Sequence, residues 1–141
     1  MTDEGSSYST EDDSELPAAA PAFATHFIDP LYEEVSDDLA PFGGDEGWDM
    51  LDTWNGRRDE LGPTSTVADV LEGDPAAYLE SGEFDDAVSV RAAGFVLLRL
   101  TGHIDTSGKQ ATLAALEQLL SYYGEEPALL RQRADLNTWV E

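Results

Sequence analysis

The sequence predicts an all-α fold, a compact bundle of five to six helices around a buried central helix at residues 84–101. The longest apolar run, Phe84 to Gly102, places apolar side chains around nearly the whole helical circumference, which is typical of a helix wrapped by others. Asp85, Asp86, Arg91 and Arg99 interrupt this run, so it is too short and too charged to span a bilayer. No segment shows the alternation and β-branched enrichment of a strand. We therefore expect helices only.

The first 24 residues are rich in acidic, Ser, Thr, Pro and Ala residues. Such a segment buries too little apolar surface to offset its ordering entropy. We therefore predict a disordered acidic tail at residues 1–24 and a single helical domain at residues 25–141. The N-terminus is acidic where a signal peptide is basic, so we expect a cytoplasmic protein.

The middle of the chain carries several local helix signals. After Pro30, apolar residues at helical spacing predict a short helix from Pro30 to Leu39 with Asp29 as its N-cap. The Gly43-Gly44 pair predicts a turn capped by Asp45, followed by a helix of about Asp45 to Leu61. A further helix is expected at Thr64–Gly73 with Thr64 or Ser65 as its cap, and a helical turn should start at Asp74-Pro75. Another helix should begin after a cap at Thr106 or Ser107 and end at Gly124. The last helix should start at Glu126-Pro127.

The formal net charge is −23, from 30 acidic and 7 basic residues, and residues 1–60 alone carry −15. Direct binding to nucleic acid or to an anionic membrane surface needs cationic side chains facing phosphate, so neither is expected. The acidity can serve solubility, a surface that docks a basic protein, or mimicry of the nucleic-acid backbone. The chain has no cysteine, which excludes disulfides, thiolate metal sites and cysteine nucleophiles.

Three stretches resemble a known family. They are PFGGDEGWDML (Pro41 to Leu51), AAYLE (Ala76 to Glu80) and DDAVSVRAAGFVLLRLTG (Asp85 to Gly102). Together they are similar to a family of small bacterial proteins, largely actinobacterial, that is described as a domain of unknown function and carries a Pro-Phe turn, an Asp-Trp helix, an x-Y-L-E segment and an Ala-rich helix. The resemblance implies a helical fold and no known activity.

No catalytic, cofactor or metal site is expected. The two histidines, His26 and His103, have no evident partners in sequence, and no G-x-S-x-G, P-loop or dinucleotide-binding pattern is present. Asp45, Asp49 and Asp52 share one helical face, but a cation would need further oxygen ligands. A solvated face explains them more simply. A hydrolase that uses two carboxylates stays an alternative, because sequence does not give their separation.

Arg91 and Arg99 lie on the helix that we expect to be most buried, so each should be paired or extend its charge to solvent. Carboxylates of the Asp45–Asp52 segment are the predicted partners. A bound anionic ligand is the alternative.

The segment from Pro41 to Trp54 combines structural and binding signals. Trp48, Leu51 and Trp54 are expected to anchor this helix to the central one. The candidate residues for docking a partner are Phe42, Asp45, Glu46, Asp49 and Asp52. We therefore predict a non-enzymatic protein-binding module for a basic partner, of the inhibitor or immunity type. The alternatives are a nucleic-acid mimic that occupies a DNA- or RNA-binding protein, and the carboxylate hydrolase.

Overall fold

A computed structural model describes residues 16–140 of the chain. Over these residues the chain forms seven α-helices, two 3-10 helices and no strand. The α-helices are α1 (Pro21–His26), α2 (Asp45–Asn55), α3 (Val67–Leu71), α4 (Pro75–Glu80), α5 (Phe84–Thr101), α6 (Thr106–Tyr123) and α7 (Pro127–Asn137), and the 3-10 helices are Pro30–Glu33 and Arg58–Glu60. The predicted all-α class is confirmed, with more helices than the five to six expected.

Helix α5 is the central element, as predicted. From Val90 to Leu100 every one of its residues is buried, because helices α1, α2, α3, α4 and α6 all pack against it. The helix ends at Gly102, which adopts a left-handed conformation with φ of 72° that costs glycine little. Among residues 16–140, no helix has the length and apolar character needed to cross a membrane.

Helices α5 and α6 approach each other closely at Gly94. A Cβ atom at this position would collide with the Thr112 side chain. The Thr112 hydroxyl donates to the Gly108 carbonyl one turn earlier, at 2.8 Å, so this buried polar group is satisfied within its own helix. The contact between Gly94 and Thr112 sets the distance between α5 and α6, the two longest helices.

Side-chain caps begin four of the nine helices in residues 16–140. Asp29 accepts from the Leu31 amide and Asp74 from the Ala76 amide, as their positions before proline predict. Helix α3 begins at a capping box, in which the side chains of Thr66 and Asp69 each accept a hydrogen bond from the other residue's backbone amide. This cap lies one or two residues after the predicted one. Helix α6 is capped by Asp105 rather than by Thr106 or Ser107, since the Asp105 carboxylate accepts from the Gly108 amide.

Two predicted helices are shorter than expected. The segment Pro30–Leu39 forms only the 3-10 helix, since Glu34 is extended (φ −80°, ψ 130°) and the Leu39 carbonyl bonds to Arg91. Helix α2 ends at Asn55 instead of Leu61. The separate 3-10 helix follows it.

The predicted boundary of the N-terminal tail at residue 24 is wrong. Residues 1–15 lie outside the described part, but residues 16–24 belong to the domain. Phe23 is 1% exposed in α1, and the Ala20 amide donates to the Arg99 carbonyl at 2.7 Å. An apolar ring and hydrogen bonds to α5 therefore stabilise a segment whose composition predicted disorder.

Candidate functional site

A cleft of about 520 Å³ lies where the N-terminal turns of α2 and α5 meet the C-terminal end of α6. Apolar side chains line its interior: Phe84, Val88, Leu119 and Leu129. Carboxylates surround it: Asp38, Asp45, Glu46, Asp85 and Asp86. We call this feature the acidic cleft.

The carboxylates of the acidic cleft come mainly from two helix N-termini. Asp45 and Glu46 are in the first turn of α2, and Asp85 and Asp86 are in the first turn of α5. The helix dipole favours negative charge at these positions, which explains why the fold tolerates four carboxylates close together. The dipoles of α2 and α5 thus stabilise a cluster of negative charges that is exposed to solvent.

Most of these carboxylates have no cationic partner within residues 16–140. The side chains of Asp38, Asp45, Glu46 and Asp85 form neither an ion pair nor a hydrogen bond there. Asp86 accepts a hydrogen bond from the Ser81 hydroxyl at 2.7 Å. The negative charge of the cleft is therefore largely uncompensated within this part of the chain.

Arg91 lies at the floor of the cleft and is only 4% exposed. Its Nη1 donates to the Leu39 carbonyl at 2.9 Å and to Gln132 Oε1 at 3.1 Å, and Nη2 donates to the Asp38 carbonyl at 3.4 Å. Burial lowers the pKa of Arg91 to about 10, so it is still protonated at neutral pH. The predicted ion pair with α2 is wrong, because the guanidinium meets carbonyl and amide oxygens while Asp45, Asp49 and Asp52 face solvent.

Arg99 does form an ion pair, but not with α2. Its Nη1 lies 2.7 Å from Glu33 Oε2. Its Nε and Nη2 donate to the Pro17 carbonyl at 2.9 and 2.7 Å. Arg99 is thus occupied by the N-terminal segment and the first 3-10 helix, and we assign it no ligand.

Three aromatic side chains form a partly exposed cluster beside the cleft. The rings of Phe84 and Tyr122 lie 4.5 Å apart, those of Phe84 and Tyr123 5.7 Å, and those of the two tyrosines 5.1 Å. Tyr122 is 66% exposed and Tyr123 39% exposed. Desolvation is the largest cause that raises the pKa of Tyr123, and the nearby Tyr122 and Asp38 raise this pKa further. The Tyr123 hydroxyl is therefore protonated at neutral pH. We call Phe84, Tyr122 and Tyr123 the aromatic cluster.

The predicted docking residues separate into three groups. Asp45 and Glu46 line the acidic cleft. Asp49 and Asp52 are exposed on α2 but do not line it. Phe42 is wrongly assigned to a docking surface, since it is 0% exposed. Its ring lies 6.2 Å from that of Phe23, in the segment that the sequence placed in the tail.

Helix α2 packs against the central helix as predicted, and two of its three predicted anchor residues are buried. Leu51 and Trp54 are 0% and 5% exposed, and Trp54 Nε1 donates to the Val70 carbonyl at 2.9 Å. Trp48 is half-buried and lines a smaller hollow with Val35. The segment is therefore structural at its C-terminal half and open to the cleft at its N-terminal end.

His26 joins helix α1 to helix α7. His26 Nε2 lies 2.7 Å from the Asp135 carbonyl, and its ring contacts Phe27 and Trp139 edge to face. A carbonyl only accepts, so His26 carries its proton on Nε2 and holds α1 against α7. Within residues 16–140, no three histidine or acidic side chains are grouped so that they could hold a metal ion.

Sequence reasoning missed five residues that line the cleft, Asp38, Phe84, Asp85, Asp86 and Tyr123, and also Tyr122 beside it. One signal was available, because adjacent tyrosines at the end of an amphipathic helix cannot both face the core. The meeting of the α2, α5 and α6 ends had no signal in the sequence.

A scan of protein-family models found no match to this chain, and searches of curated proteins and of solved structures found none either. The resemblance to the family of small bacterial proteins stays a prediction.

Proposed function

We propose that this protein is a non-enzymatic binding module for a basic protein, of the inhibitor or immunity type, acting in the cytoplasm. The observation that carries the proposal is the acidic cleft, in which four carboxylates have no cationic partner within the described residues. Like charges held close together repel each other. A bound cationic side chain relieves that repulsion, and the field of a chain with net charge −23 attracts a basic protein from a distance.

The exposure of these carboxylates favours binding over catalysis. Catalytic carboxylates commonly have pKa values shifted by burial or by a like charge held out of water. None of the five carboxylates of the acidic cleft is buried. Solvated carboxylates beside apolar walls are suited to a protein interface, in which a polar rim surrounds an apolar centre.

The proposal is tested by affinity capture from a lysate of the source cell, with the full chain as bait. Asp45→Asn combined with Glu46→Gln removes two charges from the cleft. Asp59→Asn combined with Glu80→Gln removes the same charge from exposed positions outside it, and serves as the matched control. Circular dichroism of each bait checks its fold.

We expect a basic protein to be captured by the parent and by the control, and to be lost with the cleft variant. A captured DNA- or RNA-binding protein that nucleic acid displaces would favour the nucleic-acid mimic. Equal capture by all three baits, or no basic partner, would contradict the proposal.

A further inference from the structure

We infer that the acidic cleft receives an arginine side chain of its basic partner, with the guanidinium stacked on the aromatic cluster. This inference rests on the proposed function and names the group that the site recognises. It is carried by the aromatic cluster and by charge complementarity.

The aromatic cluster provides ring faces for a cation. Phe84 and Tyr123 line the cleft, and the Tyr122 ring lies beside it, 4.5 Å from the ring of Phe84. Tyr122 and Tyr123 are 66% and 39% exposed. A guanidinium over an aromatic face is attracted by the negative charge of the ring surface. Two arginines of residues 16–140 make this contact: the Arg57 guanidinium lies 4.1 Å from the Trp54 ring centroid, and the Arg99 guanidinium lies 5.3 Å from that of Phe42 and 5.8 Å from that of Phe23.

The carboxylates of the cleft complement the same cation. Asp85 follows Phe84 directly in α5, and Asp45 and Glu46 contribute from α2. A planar guanidinium can stack on a ring and donate its edge N–H groups to a carboxylate at the same time. Val88, which lines the cleft and is half-buried, offers apolar surface to the methylene groups of the arginine.

The floor of the cleft does not suit a second cation. Arg91 is buried there and carries a positive charge. Its guanidinium donates to the Leu39 and Asp38 carbonyls and to Gln132. A second cationic group at the floor would be repelled by Arg91. The bound guanidinium is therefore placed at the aromatic rim.

Arginine fits this site better than lysine does. The guanidinium is planar and weakly hydrated, so it stacks on aromatic rings at a lower cost in lost hydration than an ammonium. The carboxylates attract both cations, although only the guanidinium can donate two N–H groups to one carboxylate. The part of the preference that is lost when the tyrosine rings are removed therefore reports on the aromatic cluster.

The test uses two synthetic peptides, each with three cationic residues separated by glycines, one with arginine and the other with lysine. Calorimetric titration of the full chain at low salt should give about three- to tenfold tighter binding of the arginine peptide. Tyr122→Leu with Tyr123→Leu should reduce that preference, because only the Phe84 ring of the cluster remains. Tyr122→Phe with Tyr123→Phe keeps the rings and should retain it, which separates stacking from an effect on folding.

Asp45→Asn with Glu46→Gln should weaken both peptides to a similar extent. Equal affinity of the parent for the two peptides, or a preference that the leucine variant leaves unchanged, would overturn the arginine inference. If the carboxylate variant still weakens binding in that case, the proposed function stands without it. Failure of both peptides to bind would overturn both.

Discussion

Arg99 shows how one buried cation organises a segment that looks disordered in sequence. It is 2% exposed and bonds to the carbonyls of Pro17 and Tyr32 and to the carboxylate of Glu33. Its guanidinium also lies 5.8 Å from the ring centroid of Phe23. Its contacts therefore join residues 17 to 33 to the central helix.

Replacing Arg99 with methionine should destabilise the protein strongly. The change keeps the bulk of the side chain but leaves buried carbonyl groups without donors. We expect a loss of about 3 kcal/mol or more in the free energy of unfolding, measured by urea unfolding followed by circular dichroism.

Arg133→Met is the matched control, because Arg133 pairs with the exposed Glu117 at 3.0 Å. It should cost less than about 1 kcal/mol. Equal losses for the two variants would contradict the role assigned to Arg99.

Tyr32 should make the fold sensitive to alkaline pH. Its ring is buried, and its hydroxyl donates to Asp135 Oδ2 at 2.8 Å. Burial is the largest cause that raises the pKa of Tyr32, and this hydrogen bond raises it further. Above pH 10 the tyrosine of the unfolded chain loses its proton before the folded one does. The stabilisation that the protonated Tyr32 side chain contributes is therefore fully present below pH 10. Above pH 10 the free energy of unfolding falls by about 1.4 kcal/mol per pH unit.

Tyr32→Phe removes this titration. The difference in unfolding free energy between the parent and the variant should therefore shrink between pH 10 and 11, in urea titrations at fixed pH values. A difference that stays constant would show that Tyr32 ionises alike in both states.

At the scale of elements, α2 has a structural end and an exposed end. Trp54 fills the core and bonds to α3, whereas Trp48 is half-buried. Trp54→Ala should cost about 3 to 5 kcal/mol. Trp48→Ala should lower the melting temperature by several degrees and cost less than half as much as Trp54→Ala. Thermal and urea unfolding of both variants measure this order, and the reverse order would refute the assignment of the two ends.

The helix boundaries that sequence predicts well depend on local chemistry. Asp29 acts within a few residues of itself and is the N-cap that was predicted, and a helix begins at Asp74-Pro75 as expected. The wrong boundaries depend on distant contacts. The extended chain around Leu39 is bonded to Arg91, 52 residues further on, and no local pattern reports such a partner.

At the scale of the whole molecule, the acidic cleft is a product of tertiary structure. Asp45 and Glu46 could be proposed from sequence because they begin an evident helix. Asp38, Asp85 and Tyr123 lie near them only because the ends of α2, α5 and α6 meet in the folded chain. Phe42 was misassigned for the same reason, since its cover comes from Phe23.

The central claim is that a basic partner docks at the cleft and not on the acidic surface in general. The most direct measurement is an NMR titration of the full ¹⁵N-labelled chain with the arginine peptide. The account predicts that amide shifts change mainly around residues 44–47, 84–89 and 119–123, with little change at the exposed Asp59 and Asp69. Shift changes spread evenly over all acidic segments would show non-specific attraction and contradict the claim.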